Sequence, residues 1–205
     1  VRFLEGGGGS VGGGDDDPRK PKTVGTPPYD PHRFRVIADA MGVVPVVSAA
    51  LGPVAGFPAG RLVASHYTVM TRELSQIMVA GPAVVERALG LSLSKEELGG
   101  ATTHNAKRGV AHFAFDNDAQ AIAAVRTLLS YLPLNNGEDP PTVPCQDSPN
   151  RRDEKLKTII PTSPNKPYDV REVIKGIVDD GHFMEVQEHF AQNIVIGFSR
   201  LMGHT

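Results

Sequence analysis

Apolar residues in this chain fall into short runs broken by glycine, proline and charge, and the spacing inside each run separates strand from helix. Val1 to Leu4 predicts the end of a strand that runs into a glycine cluster. From Gly12 to Pro31 the periodicity is lost among Gly, Asp, Pro, Lys and Thr, so a mobile polar surface loop is expected there. Within His32 to Met41, residues Phe34, Ile37, Ala38 and Met41 recur at helical spacing. Val43 to Leu51 is a continuous apolar run of the kind buried on both faces of a sheet. A glycine turn, GPVAG, follows at Gly52 to Gly56.

Strands and helices then alternate. Tyr67 to Met70 and Gln76 to Ala80 predict strands. Gly81-Pro82 opens a helix that runs through Leu89, with proline at a tolerated first-turn position. Ser94-Lys95-Glu96-Glu97 fits a capping box for a short helix ending at Gly99-Gly100. Val110 to Phe115 predicts a strand, and Ala119 to Leu132 an amphipathic helix with Ile122, Val125, Leu128 and Leu129 on its apolar stripe. This alternation argues for an α/β domain over residues 1–134. Eight prolines and scattered charges from Pro133 to Pro167 mark a linker, placed at residues 135–166. Beyond it, Asp169-Val170-Arg171-Glu172 predicts a helix start, His182 to Gln192 a second helix, and Asn193 to Met202 a strand. That is too little for a domain, so residues 167–205 are expected to open a second one. The first residue is Val1, already in a predicted strand, so the chain is expected to be an internal piece of a longer protein.

Composition narrows the function. In 205 residues the formal net charge is −2, which provides no general field for nucleic acid or an anionic membrane. No apolar run is long enough to span a bilayer, and the start VRFLEGGGG has neither the basic end nor the apolar core of a signal peptide. The one cysteine, Cys145, cannot form an internal disulfide and points to a reducing compartment. It sits in the proline-rich segment without basic neighbours, as an inert thiol would.

Of the 22 glycines, seven lie in the first fourteen residues. Gly6 to Gly9 read as a flexible linker or as a turn whose amides face a ligand, since glycine lets backbone N–H groups approach a carbonyl closely. The phosphate-loop pattern G-x-x-x-x-G-K-[ST] is absent. Gly8-Gly9-Ser10-Val11-Gly12 matches a nucleophile elbow, which makes Ser10 an alternative serine-hydrolase nucleophile, yet the residues after it are poor helix starters. Asp15-Asp16-Asp17 and Pro18 to Lys22 read as solvated loop. The seven histidines show no zinc spacing with cysteine, His182 and His189 fall two turns apart on the predicted helix, and no metal is expected. Two glycine turns after two strands, with no acid–base pair beside them, suit chemistry done by backbone amides.

The strings EGGGGSV (Glu5 to Val11), VPVVSAALGPVAG (Val44 to Gly56), SQIMVAGPAVVERALG (Ser75 to Gly90), SKEELGGATTH (Ser94 to His104) and GVAHFAFDNDAQAI (Gly109 to Ile122) carry a resemblance. In order and spacing they resemble the carboxyltransferase β subunits of biotin-dependent acyl-CoA carboxylases, the propionyl-CoA carboxylase type above all. Pro167 to Gly203 resembles the opening of that family's second domain. The resemblance implies a crotonase-like α/β spiral of short sheets and surrounding helices, present twice per subunit, the first copy binding acyl-CoA and the second biotin.

The implied reaction moves the carboxyl group from carboxybiotin to the α-carbon of a short-chain acyl-CoA: propionyl-CoA, acetyl-CoA or methylcrotonyl-CoA. Carboxybiotin on a carrier protein releases CO2, biotin takes the α-proton, and the enolate attacks CO2. The implied cofactor is biotin, and the implied partners are a biotin carboxylase/biotin carrier (α) subunit and further copies of the chain, as dimers within a hexamer. The implied compartment is the mitochondrial matrix in a eukaryote or the cytoplasm in a bacterium.

By this resemblance Gly7 and Gly8 supply the amides of the thioester oxyanion hole. Gly9 takes the place of a neighbouring small residue, and Gly52, Ala55 and Gly56 form a second turn lining the acyl-CoA pocket. Gly99, Gly100 and Ala101 match a further motif, readable as ligand contact or as a tight structural turn. The chain departs from the family pattern at Phe57, which stands where a second glycine is usual, and in the Gly12 to Pro31 loop. Those departures leave a non-catalytic assembly subunit as the other class of reading. The biotin turn of the second domain does not occur within these residues, so the chain is expected to be inactive alone.

Overall fold

The computed structural model describes residues 33–205. The readings at Val1 to Leu4, at the glycine cluster and over the loop to Pro31 lie outside the described residues. In chain order the elements are helix α1 (Arg33–Met41), strands β1 (Val47–Ala50) and β2 (Pro53–Ala55), helix α2 (Phe57–Val63), strands β3 (Tyr67–Thr71) and β4 (Gln76–Met78), and helices α3 (Pro82–Leu89) and α4 (Lys95–Gly99). A π-helical turn at Thr103–Lys107 precedes β5 (Phe113–Phe115) and α5 (Asp118–Leu129). Helices α6 (Leu156–Ile159) and α7 (Val170–Ile177), a short 3-10 turn, and strands β6 (Phe183–Val186) and β7 (Ile196–Ser199) complete the chain.

Among the described residues the strands form three small sheets. One is parallel in the order β1-β3-β5, with Val47 opposite Tyr67 and Val69 opposite Phe113. The second pairs β2 with β4 in parallel, Val54 opposite Ile77. The third is the antiparallel hairpin β6-β7. Parallel neighbours need a crossover: α2, between β1 and β3 in the chain, packs on both, and α5, which follows β5, packs on the same sheet. Met70, Ile77, Leu62, Ala50, Ala59, Ala101 and Ala111 form one core between the two parallel sheets. Val69, Phe113, Ala121, Leu128 and Val186 form a second on the α5 side.

Several elements start where the sequence signals them. Ser94 caps α4 in a full capping box, its hydroxyl accepting the Glu97 amide while the Glu97 carboxylate accepts the Ser94 amide at 2.9 Å. Asn117 caps α5, accepting the Gln120 amide at 2.9 Å, and Asp169 caps α7. α3 begins at Pro82 and ends on left-handed Gly90.

Other readings are corrected. The Val43 to Leu51 run is not one doubly buried strand: Val43 and Val44 are exposed, and only Val47–Ala50 pairs. Pro45 interrupts the ladder, and the Val46 amide donates to His66 Nδ1 at 3.1 Å instead of to a strand. GPVAG is not wholly a turn, because Pro53–Ala55 is strand β2. Helix α2 escapes the sequence reading, since Pro58 and Gly60 weaken its signal; Gly60 leaves room for the Phe34 ring, 3.2 Å from where a Cβ would stand. β4 stops at Met78, and Val79 is 86% exposed. β5 starts at Phe113 rather than Val110. α5 buries Ala121 and Leu128, while Ile122 faces solvent. The helix expected over His182 to Gln192 is instead strand β6, whose pairing with β7 buries Val186, so His182 and His189 share no helix.

The proline-rich residues 135–166 contain α6 and make long-range bonds. The Val143 amide donates to the Gly203 carbonyl at 3.0 Å. The Arg151 guanidinium reaches the carbonyls of Gly176, Ile177 and Val178, which closes the C-terminal end of α7.

Candidate functional site

Gly7, Gly8, Gly9 and Ser10 lie outside the described residues. The remaining candidates meet at β4. On one side of that strand β2 leads into Gly56, whose φ of +71° is the left-handed conformation that favours glycine. The Gly56 amide donates to the Met78 carbonyl at 3.0 Å, and its carbonyl accepts the Ala59 and Gly60 amides at 3.0 and 3.3 Å. The turn at Gly56 is therefore pinned by β4 on one side and by the first turn of α2 on the other. Gly52, at the other end of β2, has no atom within 4 Å of where a Cβ would stand, so its backbone is open to approach. Ala55 is half-buried. Phe57 is 46% exposed and packs edge-on against Phe34, centroids 4.9 Å apart at 85°.

On the other side of β4 lie Gly99, Gly100 and Ala101. A Cβ on Gly99 would overlap the Ile77 carbonyl, so glycine is what lets α4 sit against the strand. Gly100 bridges to Gln76, its amide donating to the Glu96 carbonyl at 2.9 Å, and Ala101 is wholly buried. The Gln76 side-chain amide donates to Glu96 Oε2 at 3.2 Å. Hydrogen bonds from the Ser94 hydroxyl and amide hold the Glu97 carboxyl below its usual range.

His104, on the π-turn, is 7% exposed, with Nε2 2.7 Å from the Ile77 carbonyl oxygen. A carbonyl only accepts, so Nε2 carries the proton. The other ring nitrogen, Nδ1, has no partner among the described residues. The sequence reading passed over His104, because its partner lies 27 residues upstream and no spacing marks it.

A cavity of about 640 Å³ opens at the N-terminal ends of β1 and β3, lined by Met41 to Pro45, His66, Tyr67, His112 and the β6-β7 hairpin. None of Gly52, Ala55, Gly56 or Phe57 lines it. His112 Nδ1 accepts the Thr68 amide at 3.0 Å, and burial holds the imidazole below its ordinary pKa. Burial raises the Tyr67 hydroxyl. Desolvation first, and the Asp179 carboxylate after it, push the Cys145 thiol up, away from the thiolate form. No group of three or more His, Cys, Asp or Glu among the described residues is placed to hold a metal ion. No described helix is long and apolar enough to cross a membrane.

What this arrangement offers is backbone: a glycine turn with a fixed conformation and an open neighbour, pinned to a buried strand. Residues 31–205 match the profile of the carboxyl transferase domain. The propionyl-CoA carboxylase carboxyltransferase subunit of Haloferax mediterranei is 48% identical over 172 residues, covering 84% of this chain and 33% of that protein. The propionyl-CoA carboxylase beta chain of Roseobacter denitrificans is 46% identical over 166 residues, covering 81% and 32%. Among solved structures, transcarboxylase 12S, a hexamer crystallised with methylmalonyl-coenzyme A and methylmalonic acid bound, superposes with a TM-score of 0.79 at 35% identity over 83% of this chain and 33% of that one. The chain thus spans about a third of the length of the curated relatives it matches. Its mixed α/β architecture of small parallel sheets is the crotonase-like carboxyltransferase fold.

Proposed function

The chain belongs to the carboxyl transferase domain family, and from that premise we propose that it supplies the acyl-CoA half of a biotin-dependent carboxyltransferase. The reaction moves the carboxyl group of carboxybiotin to the α-carbon of a short-chain acyl-CoA, propionyl-CoA first, with acetyl-CoA and methylcrotonyl-CoA in the same class. The observation that carries this reading is the superposition on transcarboxylase 12S, solved with the carboxylated form of propionyl-CoA bound. Residues 1–134 form the acyl-CoA domain in this proposal, 135–166 the connection, and 167–205 the start of the biotin domain. The partners are a biotin carboxylase/biotin carrier subunit and further copies of the chain, as dimers within a hexamer. The compartment is the bacterial cytoplasm or the mitochondrial matrix, according to the host.

Loss of the α-proton turns the thioester into an enolate, and the negative charge gathers on the former carbonyl oxygen. Fixed amides aimed at that oxygen stabilise it without reorganising, each by about 2.7–4 kcal/mol. Gly7 and Gly8 hold this role, with Gly9 beside them. Gly52, Ala55, Gly56 and Phe57 shape the pocket, which is supported by the pinned, positive-φ conformation at Gly56 and the open backbone at Gly52. Gly99, Gly100 and Ala101 support β4 from behind.

The C-terminal glycines Gly197 and Gly203 do not form a turn that fits the ureido carbonyl of biotin. Gly197 lies inside β7, where an added Cβ would overlap the Met184 carbonyl, and the Gly203 amide is taken by Asp179 at 2.7 Å. One sits in a paired strand and the other has its amide engaged, so no step through biotin is assigned to this chain.

Gly7→Val in the assembled carboxylase tests the assignment, because a branched Cβ would enter the proposed hole. Propionyl-CoA carboxylation should fall by about 10²–10³, and undiminished turnover overturns the role of Gly7. Ser10→Ala should leave the rate unchanged. A protein that binds no CoA thioester would be an assembly subunit.

A further inference from the structure

Resting on the acyl-CoA reading, we propose that His104 is a positioning residue that fixes the Gly56 turn through strand β4. The two are joined by consecutive carbonyls of one strand. On one side of β4, His104 Nε2–H donates to the Ile77 carbonyl at 2.7 Å. On the opposite side the next carbonyl, that of Met78, accepts the Gly56 amide at 3.0 Å. The two carbonyls are one residue apart in a buried strand whose backbone is held extended by its ladder with β2, so a displacement at Ile77 shifts the Met78 carbonyl that holds Gly56.

Among the described residues no strand lies beside the edge of β4 that faces His104. Apart from the single bridge of Gln76 to Gly100, the described residues that cover it are the buried backbone of Gly99 and the imidazole. An imidazole N–H thus replaces a strand partner at the middle residue of β4. With no partner at Nδ1 among the described residues, this bond is the polar contact the ring makes there. The ring is itself held, because the His104 amide donates to Gly100 at 3.1 Å and its carbonyl accepts the Ala111 amide at 3.1 Å. It sits in a π-helical turn, a conformation that recurs where a protein needs a side chain placed out of ordinary helical register.

The test compares H104L, which cannot donate, with H104Q, whose amide can. Hydrogen exchange is read at the Gly56 amide and at the Ala121 amide, on α5 away from β4. In H104L, exchange at Gly56 should accelerate by about tenfold or more while Ala121 changes little, and H104Q should return Gly56 to near the wild-type rate. The dissociation constant for propionyl-CoA should rise between about ten- and a hundredfold in H104L and recover in H104Q. Equal acceleration at both amides means general destabilisation and overturns the proposal, as does unchanged propionyl-CoA affinity in H104L. Wild-type protein that binds no propionyl-CoA overturns the acyl-CoA reading itself, whatever the exchange shows. Should H104L not fold, H104N, whose shorter amide cannot span to Ile77, provides the same comparison.

Discussion

Gly99 and Gly100 are adjacent and buried, yet an added methyl group would meet different obstacles at each. At Gly99 the obstacle is the Ile77 carbonyl, part of a buried strand that is paired on its other side and cannot withdraw. At Gly100 it is the Glu96 carboxylate, the end of a flexible side chain on an exposed residue. Gly99→Ala should therefore cost about 1–3 kcal/mol, the range for overpacking, and Gly100→Ala less than about 1 kcal/mol. Urea midpoints of the two variants decide the point, and equal losses would show that the strand yields as easily as the side chain. If the pair serves the site by packing, Gly100→Ala should also leave propionyl-CoA affinity near wild type.

Helices with local start signals were legible from the sequence, and those held by distant partners were not. The capping box at Ser94, the Gly81-Pro82 start and the Asp169 cap all act within one turn, so their elements fall where the residues put them. Ser94→Ala should cost about 0.5–2 kcal/mol, read by chemical denaturation. Helix α2 is held by packing of its Ala59 and Leu62 into the core, which no local spacing reveals. β6 is a strand because β7 lies beside it, and a short apolar run alone does not distinguish the two states. The same limit shifted the buried face of α5. Leu128, wholly buried against Val69 and Phe113, should lose about 2–5 kcal/mol on substitution by alanine. Ile122, 45% exposed, should lose well under half as much. A reversed order would restore Ile122 to the core-facing stripe.

Across the whole molecule, glycine-bearing turns were the legible part of the candidate site, since glycine before or after a strand has a backbone reason visible in one dimension. Their convergence on β4, and the roles of His104 and His112, depend on contacts between residues far apart in the chain. His112 joins three parts of the fold: its amide donates to the Thr68 carbonyl at 2.9 Å, its Nδ1 accepts the Thr68 amide, and its carbonyl accepts the amide of Gln187 just after β6. The parallel sheet and the C-terminal hairpin therefore meet at one residue, whose imidazole must stay neutral to hold the Thr68 amide, because a protonated Nδ1 cannot accept. Burial lowers its folded-state pKa below the ordinary 6.5. As pH falls, the unfolded chain takes up this proton before the folded one, so the stabilisation is full above about pH 6.5 and declines as pH drops toward the folded value. The Glu97, Asp169 and Asp179 carboxyls are also lowered, but from ordinary values of 4.5 and 3.8, so their losses come at lower pH. Urea midpoints between pH 8 and 5.5 should fall in the wild type and fall less in His112→Gln, whose side-chain oxygen accepts without titrating. The protection factor of the Gln187 amide, taken relative to intrinsic exchange at each pH, should fall over the same interval, ahead of those of amides in α5. Parallel pH profiles for the two proteins would remove His112 as the group through which acid loosens the hairpin from the sheet.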